Sequence, residues 1–266
     1  MIDTHCHLTF DHYADRVDDV IADARAAGVH GMITVSTTLS DAQTARDFAH
    51  RYDNIWCTAG VHPLHSDKAP EDQRGWHALA ELARDDKCVA WGELGLDNHY
   101  DNPPKSIQQR VVTEQLAMIE RLAAEGFTLP IVVHCREAFD ELIDVFRQTG
   151  LDPSRFVFHC FTGGPDAARK VLDFGAWISF TGVVTFKNAK EVAEAAKLVP
   201  LDRMMVETDS PFLTPEPHRN IRPNEPKYVV DVARFLADLH ALDFTEIEKQ
   251  MDANAERFFG ITLHEK

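Results

Sequence analysis

Basic residues are scarce in this 266-residue chain: 27 Lys and Arg stand against 43 Asp and Glu, for a formal charge of −16. A field of that sign repels polyphosphate and anionic lipid, which excludes tight nucleic-acid binding by generic electrostatics. Acidic substrates fit only where cations or a few local Lys and Arg residues reverse the sign inside a pocket. Nowhere do eighteen apolar residues run together, and the opening Met1-Ile2-Asp3-Thr4-His5 has neither a basic nor an apolar leader. The expectation is a cytoplasmic protein that neither crosses a membrane nor is secreted. Cysteine is sparse as well. Cys6, Cys57, Cys88, Cys135 and Cys160 form an odd, dispersed set without a CxxC, which fits reduced thiols better than disulfides or a thiolate zinc site. There is no GxGxxG or Walker loop, and no Ser- or Gly-rich linker, charge block or internal repeat divides the chain. With 44% apolar and 26% charged residues the composition is that of a folded globular protein, and residues 1–266 are expected to form a single domain.

What the chain does contain is regular alternation. Short apolar or β-branched runs at 2–8, 32–36, 56–61, 88–94, 129–135, 156–161, 176–180 and 204–208 predict eight strands. Between them, apolar residues three and four apart predict helices over 17–27, 41–52, 76–84, 110–124, 139–149, 167–174 and 191–198. Ser40 is the expected N-cap of the second helix, and Gly28, Gly126 and Gly150 follow helices where a left-handed residue is wanted. Two further amphipathic stretches, 228–239 and 245–259, follow the eighth strand. Parallel strands with helical crossovers either close into a barrel or lie open. Here reactive side chains end several widely separated strands, and they converge only if the sheet closes on itself. The expected fold is therefore α/β, a TIM (β/α)8 barrel with extra C-terminal helices.

The first strand carries His5-Cys6-His7, whose alternation puts both imidazoles on one face and Cys6 on the other. The fourth ends in Gly92-Glu93-Leu94-Gly95-Leu96-Asp97. A carboxylate among glycines and apolar residues needs a cation, because an unpaired buried charge is costly. Strands five and six each place one histidine, His134 and His159, after an apolar run, and either alone is compatible with a hydrogen-bonded core residue. In Glu207-Thr208-Asp209-Ser210-Pro211 the two acids share a face, although Asp209 also suits the cap of a turn closed by Pro211. Together, His5, His7, Glu93, His134, His159 and Asp209 all fall at the carboxyl ends of strands, the rim where barrel enzymes keep their chemistry. Four neutral imidazoles with two carboxylates suit two divalent cations about 3.5–4 Å apart better than a single zinc. Zn²⁺ and Mn²⁺ accept such mixed ligation, while Mg²⁺ prefers more oxygens. Cys6, Cys135 and Cys160, each beside one of these residues, are expected to turn toward the helix layer and pack there.

These residues lie in blocks that resemble the TatD family of metal-dependent hydrolases, within the amidohydrolase-like barrels. The blocks are Asp3-Thr4-His5-Cys6-His7, Gly60-Val61-His62-Pro63, Gly92 to Asp97, and His134-Cys135-Arg136-Glu137-Ala138. They continue with His159-Cys160-Phe161-Thr162-Gly163, Thr185-Phe186-Lys187-Asn188, Glu207 to Pro211, and Arg219 to Pro226. The resemblance covers essentially the whole chain, with departures at Cys135, where Ser is frequent, and Asn98, where Tyr is frequent. It implies that His5 and His7 hold one cation, His134 and His159 the other, that Glu93 bridges them and that Asp209 completes the first site. It also implies divalent-cation-dependent phosphodiester hydrolysis, of the 3′–5′ deoxyribonuclease kind.

Two such cations polarise a phosphoryl oxygen and lower the pKa of a shared water from ~15.7 toward ~7. Asp209 is the expected catalytic base, handing the proton on to the leaving group. Substrate contacts are expected from His62, Arg136, Lys187 and Arg219, with His65 and Arg222 in the same loops. No basic track for a duplex is visible, so attack on the end of single-stranded or short DNA is favoured, with a base stacked on Phe10, Tyr13, Tyr100 or Phe161. Barrel amidohydrolases, lactonases and small-phosphoester hydrolases use the same ligand set, and spacing in the sequence does not separate them from a nuclease.

Overall fold

Strand and helix alternate throughout the computed structural model, which describes residues 1–263. The strands are β1 (Ile2–Cys6), β2 (Gly31–Thr34), β3 (Ile55–Ala59), β4 (Cys88–Asp97), β5 (Ile131–Arg136), β6 (Phe156–Phe158), β7 (Trp177–Phe180) and β8 (Met204–Val206). Each pairs in parallel with its sequence neighbour, in the order β1 to β8. The ring closes where β1 meets the segment after β8. Cys6 bridges Ser210, the Asp209 N–H donates to the His5 carbonyl at 2.9 Å, and the His7 N–H donates to the Ser210 carbonyl at 2.8 Å. This is a (β/α)8 barrel.

Parallel neighbours require long crossovers. These are α1 (Val17–Ala26), α2 (Leu39–Ala49), α3 (Gln73–Ala83), α4 (Lys105–Ala124), α5 (Phe139–Arg147), α6 (Pro165–Phe174) and α7 (Lys190–Leu198). α8 (Val229–His240) and α9 (Phe244–Phe259) follow β8. None of the helices among the described residues is long and apolar enough to cross a membrane. Two local expectations need correction. The N-cap of α2 is Thr38, not Ser40, because the Thr38 hydroxyl accepts the Asp41 N–H at 3.1 Å. Gly28 and Gly126 do take left-handed backbone after α1 and α4, at φ +94° and +91°, but Gly150 is not among the glycines with positive φ. Thr149 instead ends that turn by donating its hydroxyl to the Phe146 carbonyl.

Alternate residues of the strands, among them Ile33, Val89, Val132, Val157 and Met205, form one buried apolar cluster with Phe259 and Ile261. The end of α9 thus closes the floor of the barrel, and each buried side chain of this kind contributes about 1.5–3 kcal/mol. Asn254 of α9 pins it there by donating to the Leu201 and Met204 carbonyls at 2.6 and 2.7 Å. With the floor packed, chemistry is confined to the opposite rim. β4 runs to that rim because Gly95, at φ +149°, pairs in register with His134, where a Cβ would lie 1.9 Å from the His134 carbonyl oxygen. Only glycine permits this approach, and it brings Glu93 and Asp97 alongside the histidine of β5.

Candidate metal centre

The six residues expected to gather do gather. Glu93, mid-way along β4 and buried, is the hub: its Oε1 lies 2.6 Å from His159 Nε2 and 2.7 Å from His134 Nδ1, and its Oε2 lies 3.3 Å from His5 Nε2. Asp209 Oδ1 lies 3.4 Å from His7 Nε2 and 3.6 Å from His5 Nε2. The His5 and His159 rings stack with centroids 4.0 Å apart. His62, from the loop after β3, completes the cluster with Nε2 3.3 Å from Glu93 Oε1. Strand ends explain the convergence: His5, Glu93 and His134 lie within strands, while His7, His159 and Asp209 stand one to three residues beyond them.

Most of these imidazoles are held from behind. His7 donates its Nδ1–H to the Val35 carbonyl at 2.9 Å, which leaves the Nε2 lone pair facing Asp209. His134 Nε2 bonds to Asp97 Oδ2 at 3.0 Å, and His159 Nδ1 faces Glu207 Oε1 at 3.3 Å. Carboxylates in that position orient a metal-binding ring and raise its basicity. Sequence reading assigned no role to Asp97 or Glu207, although Glu93 and Asp97 share the period-two face of β4 and would have been found by extending it. Asp3 was likewise missed. It accepts from Thr208 N at 2.9 Å and Thr208 Oγ1 at 2.6 Å, tying β1 to the segment that presents Asp209.

Burial pushes the Asp3 carboxyl up to about 8, although the Thr208 hydrogen bonds oppose it. Burial also acts to raise Glu93 and Asp209, but the surrounding imidazoles outweigh it. His159, His62 and His5 hold Glu93 well below the ordinary carboxyl range, and the His7 hydrogen bond leads in lowering Asp209. Burial pulls every imidazole down. For His159, Glu93 and Glu207 overcome this and hold the ring well above its ordinary value, and for His134, Asp97 and Glu93 do the same. Burial prevails at His5, assisted by His159, and at His62, which falls to about 4.

Protons therefore occupy positions suited to cations. His5 is fully buried, yet neither of its ring nitrogens makes a hydrogen bond, a costly arrangement unless a ligand completes it. Three overlapping sets, His5–His159–Asp209, His5–His7–Glu93 and His62–Glu93–His134, each bring one donor atom per residue within 4.8 Å of one another. Mixed imidazole and carboxylate donors suit borderline divalent ions. A further set, His50, Asp85 and Asp86, lies on the surface away from the barrel rim.

The cluster forms one wall of a cavity of about 740 Å³. His62, His65 and Arg136 line it, with the Arg136 guanidinium 5.1 Å from the centre of the Tyr100 ring. Lys187 and Arg219 do not. Lys187 is exposed, and Arg219 lies against Phe186 with its guanidinium 3.6 Å from the ring centre. Arg222 donates to the Thr214 hydroxyl and to the carbonyls of Arg219 and Ile221. Of the expected stacking rings, Phe10 and Tyr100 line the cavity, whereas Tyr13 and Phe161 are buried in the core. Phe212, which sequence reading missed, also lines it and is 45% exposed. Cys6 and Cys135 belong to the core cluster as expected, although Cys135 also reaches the cavity wall. Cys160 does not turn into that layer: β6 ends at Phe158, so strand alternation no longer governs it, and with φ +44° it lines the cavity.

A parallel barrel with a histidine–carboxylate cluster at its carboxyl rim is the arrangement of metal-dependent barrel hydrolases. Residues 2–260 match the model of the family described as TatD related DNase, and the chain belongs to that family. It is 38% identical over 261 residues to an uncharacterized metal-dependent hydrolase, YabD, of Bacillus subtilis, covering 98% of this chain and 99% of that protein. A Klebsiella pneumoniae protein named 3′-5′ ssDNA/RNA exonuclease TatD is 34% identical over 273 residues, covering 99% of each. The crystal structure of YjjV, a TatD homologue from Escherichia coli, superposes with a TM-score of 0.89 at 27% identity, covering 98% of both chains.

Proposed function

We propose that the protein hydrolyses phosphodiester bonds at the ends of single-stranded or short nucleic acids, using two divalent cations. His5, His7 and Asp209 would hold one cation, His134 and His159 the other, and Glu93 both. The observation that carries this reading is the Glu93 carboxylate, which faces histidines of both sets from its two oxygens. When bound, cations at such a donor set supply Lewis-acid polarisation of a phosphoryl oxygen and acidify water. Zn²⁺ and Mn²⁺ suit these donors best.

The protein's own groups supply the remaining work. Asp209 is 16% exposed at the cavity wall and held ionised by its imidazole neighbours, so it is placed to accept a proton there and return it to a leaving oxygen. Phe10 stacks on His7 at 4.5 Å, and Phe212 meets Phe10 edge-on at 6.3 Å, giving one aromatic wall beside the cluster. Tyr100 with Arg136 forms another. Bases next to a scissile phosphate stack on such walls without sequence preference. The cavity size and the charge of −16 favour a strand end over a long duplex, which would need a basic track. Metal-reconstituted protein should shorten end-labelled single-stranded DNA from its 3′ end and lose this activity on chelation. Turnover confined to lactones or amides on a parallel panel would overturn the substrate class.

A further inference from the structure

His62 differs from its neighbouring imidazoles in where its proton must sit. His7 and His134 bond outward to Val35 and Asp97, and so turn a lone pair toward the cluster. At His62 the polarity is reversed. The ring caps the short 3-10 turn Pro63–Lys68, with Nδ1 accepting the backbone N–H of Leu64 at 2.9 Å. An amide N–H only donates, so Nδ1 carries the lone pair and the single proton of the neutral ring lies on Nε2. That nitrogen points into the cavity, 3.1 Å from His134 Nδ1 and 3.3 Å from Glu93 Oε1. The Nε2–H faces the Glu93 carboxylate, which a cation would claim. His62 is then left with a cavity-facing donor and 12% side-chain exposure, placed where a substrate oxygen can accept. We propose that His62 is a tautomer-locked hydrogen-bond donor to a non-bridging oxygen of the scissile phosphodiester, and is not a metal ligand. This deepens the functional reading above and rests on it for the identity of the acceptor. Because the lock is a backbone amide next to Pro63, no side-chain rearrangement of the cluster releases it.

The test measures metal content and turnover together. In His62→Ala, the zinc bound per chain after dialysis should equal that of the wild-type protein, while kcat on single-stranded DNA falls about 100-fold, the usual effect of removing one such donor. His62→Gln, whose amide keeps a donor near the Nε2 position, should recover part of that loss. Loss of a zinc equivalent in either variant would make His62 a ligand and overturn the proposal, as would an unchanged kcat in His62→Ala. Nitrogen-15 NMR of the zinc-loaded wild-type protein needs no variant: the His62 proton is expected on Nε2, and a proton on Nδ1 would overturn the assignment. Should the wild-type protein cleave a lactone and leave DNA intact, the substrate reading fails separately. The same variants on that lactone then decide the donor role, with the carbonyl oxygen as acceptor.

Discussion

Replacing Glu93 with Gln removes the one carboxylate shared by His5, His62, His134 and His159, at 3.3, 3.3, 2.7 and 2.6 Å. In the cation-free protein this breaks a buried, 2%-exposed ion-pair network, and losing one partner of such a pair costs about 3–5 kcal/mol. Gln still offers a carbonyl oxygen, so the lower end applies, and for a chain of this size about 3 kcal/mol lowers Tm by roughly 6–12 °C. The consequence for cation binding is larger. A cation that binds only the folded state at a thousand times its Kd adds about 4 kcal/mol, so two saturated sites should make the wild-type Tm strongly sensitive to chelator. On the two-cation reading proposed above, Glu93→Gln withdraws a ligand from both sites at once, and most of that sensitivity should vanish with it. Calorimetry with and without EDTA, alongside metal analysis of dialysed protein, reads both effects. A variant that kept two equivalents of cation and the full chelator response would refute the bridging role.

Asp209→Asn should keep the fold by circular dichroism and lower kcat about 10²–10⁴-fold, the range for a positioned proton acceptor; near-normal turnover would remove it from that role. Asp97→Asn removes the acceptor behind His134 and should weaken cation binding about 10–100-fold in competition with a chromogenic chelator, so an unchanged affinity would show that Asp97 does not orient the ring. The raised values of His159 and His134 predict that cation uptake releases protons and that apparent affinity climbs as pH rises above 6.5, their ordinary value; calorimetric titration finding a flat profile from about pH 6 to about pH 9 would contradict this. Without cations the sign of stability is opposite. The folded value of His159 lies above its unfolded one, so its contribution is complete below pH 6.5 and fades as pH rises through the folded value. Glu93 contributes above pH 4.5 and loses its share as pH falls toward its depressed value, so acid and base unfolding of the chelated protein should bracket a neutral maximum.

The barrel was legible because its signals are local. β-branched runs and three-four periodicity recur with little interruption, and their placement agrees with the strands and helices observed, apart from shifts of a few residues at the ends. The Ser40 and Gly150 assignments failed on single hydrogen bonds, Thr38 with Asp41 and Thr149 with Phe146, which composition does not rank. Cys160 failed because alternation was carried past the last paired residue of β6, where the chain turns and the rule no longer holds.

The amino-acid sequence by itself determined the alternation of elements and the gathering of His5, His7, Glu93, His134, His159 and Asp209, because each lies in the carboxyl half of a strand or just beyond it, and parallel strands that close a ring bring those ends to one rim. Only the tertiary structure decided which groups stand behind those side chains, which cationic side chains reach the cavity, and which backbone amide the His62 ring accepts from. Asp97, Glu207, the Leu64 amide and the Arg219–Phe186 contact act through distances between segments far apart or through loop geometry. Periodicity fixes which face a side chain takes on its own element; the angle and reach at which it meets a neighbour depend on how the elements pack.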